Sequence, residues 1–188
     1  MIIIAYVLVA VFLIVEGRLR QGREAASFEA GYFDRNSTKY VGFAFGTALV
    51  MLILAPILNY FQVAGVSEGG LQMFGLALMV IGLALRYWAS KTLGAFYTRT
   101  LLVKTDHHIV ESGPYRLIRN PGYLGVIVLF VGASLAASNW LVVAVITSIL
   151  LASYIYRIRV EETMLQTTFG EEYQAYKART WKLVPLVY

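Results

Sequence analysis

The chain has 188 residues, enough for one domain. Hydrophobic residues make up 59% and charged ones only 14%, against about 25% charged in a soluble domain. With a mean hydropathy of +0.65 this excludes an ordinary soluble protein and marks an integral membrane one. The absence of cysteine excludes disulfides, thiolate metal sites and a cysteine nucleophile. A net charge of +5 would suggest nucleic acid for a soluble protein. In a membrane protein the distribution of the basic residues is the guide, and no nucleic-acid partner is expected.

Ile2 to Val15 is apolar, with no basic segment before it and no small-residue cleavage site after it. It reads as a first transmembrane helix, extended by Met1 and the stem of Glu16 toward the roughly 20 residues a span needs. The polar loop 16–39 holds Arg18, Arg20, Arg23, Arg35 and Lys39 among acidic residues, and reads as a solvated interfacial loop with a short helix. A second span runs from Tyr40 to Phe61. Pro56 is expected to kink it, because proline supplies no amide to the helix. Gly42 and Gly46 form a small-residue pair that would admit a close neighbour, although such pairs also arise by chance in glycine-rich membrane helices.

The loop from Gln62 to Gly70 carries Glu68 alone. The third span, Leu71 to Ser90, ends in Arg86, Tyr87, Trp88 and Lys91, an aromatic and basic belt suited to a water interface. Thr92 to Arg119 has no apolar run of span length and reads as extramembrane, with Gly94 as a helix stop. The fourth and fifth spans, Gly122 to Ala137 and Trp140 to Tyr156, are separated by Ser138 and Asn139, so they form an antiparallel hairpin. Each is short and is expected to be tilted or partly inserted. Arg157 to Tyr188 is a charged amphipathic segment in which Val160, Met164, Leu165, Thr168 and Phe169 share a helical face.

Five basic residues follow span one, six lie between Arg86 and Arg119, and five follow span five; these account for all 16. They fall on one side, which the positive-inside rule makes the cytoplasm, with the N-terminus outside and the C-terminus inside. The expected fold is all-α and polytopic, with about five transmembrane helices. Residues 1–91 form an N-terminal transmembrane part and residues 92–188 a second part holding the hairpin and a C-terminal helix.

The most chemistry-rich stretch is His107 to Tyr123. Asn120-Pro121 is a favourable helix start, since Asn is a preferred N-cap and Pro a preferred first residue. The free amides there would attract a carboxylate or phosphate, and plain capping is an equally good reading. His107 and His108 are the only histidines, which argues against a metal site on ligand number. Arg157 and Glu161 lie one helical turn apart. They can form an anchoring ion pair, or frame a pocket with the Asn120 turn brought beside them by the hairpin. Tyr115 and Tyr123 can stack on a planar group or serve as interface aromatics.

These residues resemble the isoprenylcysteine carboxyl methyltransferase family of integral membrane enzymes. The matching motifs are Gly113-Pro114-Tyr115, Arg119-Asn120-Pro121-Gly122-Tyr123-Leu124-Gly125, and Glu161-Glu162-Thr163-Met164-Leu165. Phe169-Gly170-Glu171-Glu172-Tyr173-Gln174-Ala175-Tyr176 completes the set. The ordered set covers about Leu93 to Pro185.

The resemblance implies S-adenosylmethionine as cofactor, S-adenosylhomocysteine as product, and a cytosolic pocket closed by the C-terminal helix. It places Thr100, His107, His108, Ile109, Val110, Tyr115, Asn120, Pro121, Gly122, Tyr123 and Glu161 at the cofactor. Arg157 is placed beside the methyl acceptor, and Arg157 and Glu161 together are the catalytic candidates. The implied acceptor is a prenylated or other lipophilic molecule drawn from the membrane lipid phase. One position departs from the pattern: the family's usual His before the Pro is Asn120, which cannot act as a protonatable group.

A carboxylate acceptor needs no base, since it is ionised at neutral pH. A phenolic lipid acceptor would need one, with His107, His108 or Glu161 as candidates. Two rival readings are an NADPH-dependent sterol reductase, which shares an Arg-His-Pro-x-Tyr pattern but is generally longer, and a non-catalytic membrane subunit.

Overall fold

Long apolar runs build four of the five helices in the computed structural model, which describes residues 1–19, 34–65, 69–94 and 109–186. In chain order they are α1 (Ile2–Leu19), α2 (Ser37–Tyr60), α3 (Gly69–Leu93), a 3-10 turn (Gly113–Arg116), α4 (Pro121–Ala136) and α5 (Trp140–Ala178). Among the described residues there is no strand, only two isolated bridges. The all-α, polytopic expectation is borne out. Helices α1, α2, α3 and α5 are long and apolar enough to cross a membrane; α4, with 16 residues, is shorter.

Helix α4 is apolar on every side, and such a helix belongs inside a bundle. Twelve of its residues, from Pro121 to Ala136, are buried. Its partner is α3, and glycine sets the spacing. A Cβ on Gly82 would lie 2.6 Å from the Gly125 carbonyl oxygen, and one on Gly132 would lie 2.5 Å from that of Gly75. These contacts are closer than any real Cβ tolerates, so the backbones meet because those positions carry no side chain. Phe130 of α4 then fills the centre, edge-on to Phe12 of α1 at 6.0 Å and to Phe45 of α2 at 5.1 Å.

The glycine pair expected to admit a neighbour does not. Nothing lies within 4 Å of a Cβ on Gly42 or Gly46. The buried stripe of α2 is Ala44, Ala48, Leu52 and Ala55. Two residues along a helix is about 200° around it, so Gly42 and Gly46 sit opposite that stripe. Helix α2 runs on through Pro56 to Tyr60. The Leu52 carbonyl that Pro56 cannot reach accepts instead from the Tyr6 hydroxyl of α1 at 2.8 Å.

Helices α4 and α5 turn into each other through Ala137, Ser138 and Asn139, as the hairpin reading requires. Asn139 caps α5 by accepting from the Val142 amide, and its Nδ2 donates to Asn59 Oδ1 at 2.7 Å and to the Val63 carbonyl at 2.8 Å. Polar side chains thus satisfy the backbone at this end of the bundle. The expected break after Tyr156 is absent: α5 continues as helix to Gly170, whose φ of +52° and ψ of −120° bend it. Between Tyr156 and Phe169 there is no glycine or proline to stop it. Val160 and Met164 are buried there with Leu165 against them, the apolar face expected from the sequence. Gly94, at φ +52°, directly follows α3 as its anticipated stop.

Candidate active site

At the opposite end of the bundle, the segment leading into α4 lies against the end of α3. Gly113 has φ +56°, and a Cβ there would lie 2.9 Å from Thr92 Oγ1, so the turn needs glycine for both its conformation and its approach. Tyr115 is buried, and its carbonyl accepts from the Tyr176 hydroxyl at 2.8 Å. Burial pushes the Tyr115 phenol well above its ordinary range; Arg86 opposes this, and Glu161 and the nearby phenols add to it. Tyr115 is therefore a neutral hydrogen-bonding group.

Arg119 ties the carboxyl-terminal segment down. Its Nε donates to Glu162 Oε1 at 3.0 Å, and its Nη1 reaches the carbonyls of Lys177, at 3.1 Å, and Thr180. Its backbone amide donates to the Trp181 carbonyl at 2.8 Å, and the Trp181 amide donates to the Leu117 carbonyl at 2.9 Å. Asn120 is part of the same strap, with Nδ2 donating to the Lys182 carbonyl at 2.8 Å. This corrects the helix-cap expectation. Asn120 occupies the capping position but makes no side-chain cap bond; its side chain is turned to the returning chain instead. The first-turn amides of α4 therefore have no capping side chain from Asn120.

A cleft opens at this helix end, with about 850 Å³ of empty space counted out to open solvent. Ile109, Val110, Tyr115, Asn120, Gly122, Tyr123 and Glu161, all named from the sequence, line it together. Pro121 is the buried first residue of α4 beside them. Thr100, His107 and His108 lie outside the described residues. Arg86, Ser90, Leu93, Arg119, Glu162, Leu165, Tyr173 and Tyr176 complete the lining.

Sequence reasoning assigned no site role to these last residues, although signals existed for some. Arg86 is an ionisable residue closing an apolar helix, a feature that marks functional positions in membrane proteins. By sequence it belongs to an interfacial belt. It is instead 7% exposed and grips Glu16 of α1 through Nε at 3.1 Å and Nη2 at 2.8 Å. Glu16 is thus an ion-pair partner as well as a helix extension. Tyr173 and Tyr176 stand in the motifs quoted above, but nothing in the motif tells which way they face.

Arg157 is not among the lining residues; it stands behind them. Its Nη1 donates to Asp34 Oδ1, Ser37 Oγ and Thr38 Oγ1, each at 2.8 Å, and its Nε reaches the Tyr123 hydroxyl at 3.3 Å. That hydroxyl donates to Glu161 Oε2 at 2.6 Å, and the Tyr123 ring stacks on Tyr154 at 4.9 Å. A chain of hydrogen bonds therefore runs from the start of α2 to a carboxylate on the cleft wall. Burial, the largest influence on Asp34, opposes its ionisation. Hydrogen bonds from Thr38 and Ser37 and the Arg157 guanidinium outweigh that and hold its carboxyl below the usual range.

A sequence profile of the phospholipid methyltransferase family matches residues 71–172, more than half the chain and the whole of this cleft's α3, α4 and early α5 walls. The chain belongs to the phospholipid methyltransferase family. This family member is similar to the probable protein-S-isoprenylcysteine O-methyltransferase of Oryza sativa subsp. indica, 31% identical over 115 residues that make up 60% of each chain. It is also similar to the protein-S-isoprenylcysteine O-methyltransferase of Saccharomyces cerevisiae, 30% identical over 147 residues, 77% of this chain and 61% of the yeast protein. Among solved structures it resembles a eukaryotic intramembrane Ras methyltransferase, isoprenylcysteine carboxyl methyltransferase, with a TM-score of 0.66 and 28% identity. That likeness covers 76% of this chain and 52% of the other. The chain thus spans about 60% of the length of these curated relatives. The resemblance read from the motifs is borne out, and with it a multi-pass integral membrane protein.

Proposed function

We propose that this chain is an S-adenosylmethionine-dependent membrane methyltransferase. The acceptor is a carboxylate, isoprenylcysteine-like, or another oxygen of a lipophilic molecule reached from the bilayer. One observation carries this reading: in a chain of this family, the Asn120–Tyr123 helix start and the Glu161–Leu165 stretch form facing parts of a single cleft. The basic residues of the sequence would place that cleft on the cytosolic side.

The residues present fit the cofactor. Apolar Ile109, Val110 and Leu165 give a surface for a flat base, while Arg86, Asn120 and Glu161 give polar anchors. Gly122 lets the Arg86 guanidinium lie against the start of α4, since a Cβ there would come within 2.8 Å of Arg86 Nη1. S-adenosylmethionine, when bound, supplies a sulfonium-activated methyl group that needs an in-line nucleophile about 3 Å away in a dry pocket.

The chain's own residues then have these roles. The first-turn amides of α4 receive the cofactor carboxylate, and Glu161 faces its ammonium. Tyr115, neutral and buried, and Tyr173 wall the cleft from water. The acceptor carboxylate is ionised at neutral pH and requires no base, so Asn120 in place of His is no obstacle. Arg157, expected beside the acceptor, takes a positioning role in this reading. It is held on Asp34, Ser37 and Thr38, and it fixes the Tyr123 hydroxyl that holds Glu161.

Titration of the purified protein with S-adenosylhomocysteine and with NADPH tests the cofactor. Binding of the first and not the second is expected, and the reverse overturns the proposal. Incubation with tritiated S-adenosylmethionine and native lipid extract then identifies the acceptor by its label.

A further inference from the structure

Hydroxyls inside helices ordinarily fold back onto a carbonyl three or four residues earlier. This chain follows that habit at Thr92 to the Trp88 carbonyl (2.9 Å), Ser134 to Val131 (2.8 Å), Ser153 to Leu150 (3.0 Å) and Thr163 to Arg159 (2.9 Å). Among the described residues, two buried side-chain polar atoms have no partner, Ser90 Oγ and Thr147 Oγ1. Thr147 is half-buried in the middle of α5 and faces no cavity described here. Ser90 is different. It is 3% exposed and it lines the cleft. Leaving a buried hydroxyl without a partner is costly, so its place on a cavity wall needs a reason. Its helix could satisfy it through an earlier carbonyl and does not.

We infer that Ser90 is a specificity-determining contact whose hydroxyl donates to the amino-acid carboxylate of the cofactor; this rests on the methyltransferase reading above. Three features place the carboxylate there. Ser90 stands one helical turn beyond Arg86, so both lie on the same face of α3, and both line the cleft. The Arg86 guanidinium lies against Gly122, at the start of α4. The first-turn amides of α4 lack a capping side chain. A hydroxyl, a guanidinium and a helix N-terminus are all donors, and together they suit an anionic oxygen. The apolar Ile109, Val110 and Leu165 suit the nucleoside instead.

Ser90→Ala tests this with effects of opposite sign. Purified full-length protein in detergent is titrated by calorimetry with S-adenosylhomocysteine and with 5′-methylthioadenosine, which lacks the amino-acid part. Removing one hydrogen bond to a charged group is expected to raise the Kd for S-adenosylhomocysteine roughly tenfold or more. The Kd for 5′-methylthioadenosine should stay within about twofold on the same reasoning. The ligand-free protein should melt at the same temperature or higher, because an unpartnered hydroxyl has gone. Unchanged affinity for S-adenosylhomocysteine overturns the inference. So does an equal loss for both ligands with a lowered melting temperature, which would make Ser90 a packing residue. A wild-type chain that binds neither ligand fails earlier, overturning the methyltransferase reading and this one with it.

Discussion

Tyr123→Phe isolates the junction on which the proposed site depends. The substitution removes one oxygen and keeps the ring, so the stack on Tyr154 at 4.9 Å survives. What disappears is the 2.6 Å hydrogen bond to Glu161 and the 3.3 Å contact from Arg157 Nε. A hydrogen bond to a charged group contributes about 1.5–3 kcal/mol, and each 1.36 kcal/mol is tenfold in rate. If Glu161 works only when held, kcat/KM for S-adenosylmethionine should fall roughly 10- to 100-fold. The melting temperature should move by only a few degrees, since the packing is intact. Initial-rate assays across S-adenosylmethionine concentrations, with circular-dichroism melts in the same detergent, give both numbers. Asp34→Asn attacks the same chain from its other end, so the double variant should lose less than the two single losses multiplied together. A Tyr123→Phe enzyme with kcat/KM for S-adenosylmethionine within about twofold of wild type would refute the positioning role of Tyr123 and, with it, that of Arg157.

Gly132→Ala drives a methyl to 2.5 Å from the Gly75 carbonyl oxygen and should destabilise the bundle by about 1–3 kcal/mol or more. Gly42→Ala, with nothing within 4 Å, should be neutral or slightly stabilising, and thermal melts of the pair check the contrast. The carboxyl of Asp34 is held below its ordinary range. The stability that this contributes is fully present above about pH 5 and is lost as pH falls through the folded value. The stability gap between wild type and Asp34→Asn, about 3 kcal/mol at pH 7, should therefore shrink below about pH 4 and hold steady from pH 7 to 9; denaturation across that range measures it. Arg119→Met removes the anchor of the C-terminal strap. Hydrogen exchange should quicken at the Trp181 amide, which is bonded to the Leu117 carbonyl, and remain slow in α4.

The sequence by itself determined the medium, the helices and the family. Apolar run length, the breakers at Gly94 and between Ala137 and Trp140, and the ordered motifs from Gly113 to Tyr176 are all local features, readable without knowing what touches what. What lies far apart in sequence was decided only by the tertiary structure. The close approach is made by α3 and α4 at Gly75, Gly82, Gly125 and Gly132 and not by α2 at Gly42 and Gly46, because closeness depends on which face meets a neighbour. Asn120 has the composition of a cap, yet it caps nothing and its side chain donates to a carbonyl 62 residues later. Arg86 and Glu16, 70 residues apart, look like two interfacial charges until the fold pairs them. The physical reason is the same each time. Helix propensity and hydrophobicity act over a few residues, whereas a hydrogen bond takes whichever partner the packed chain brings within about 3 Å.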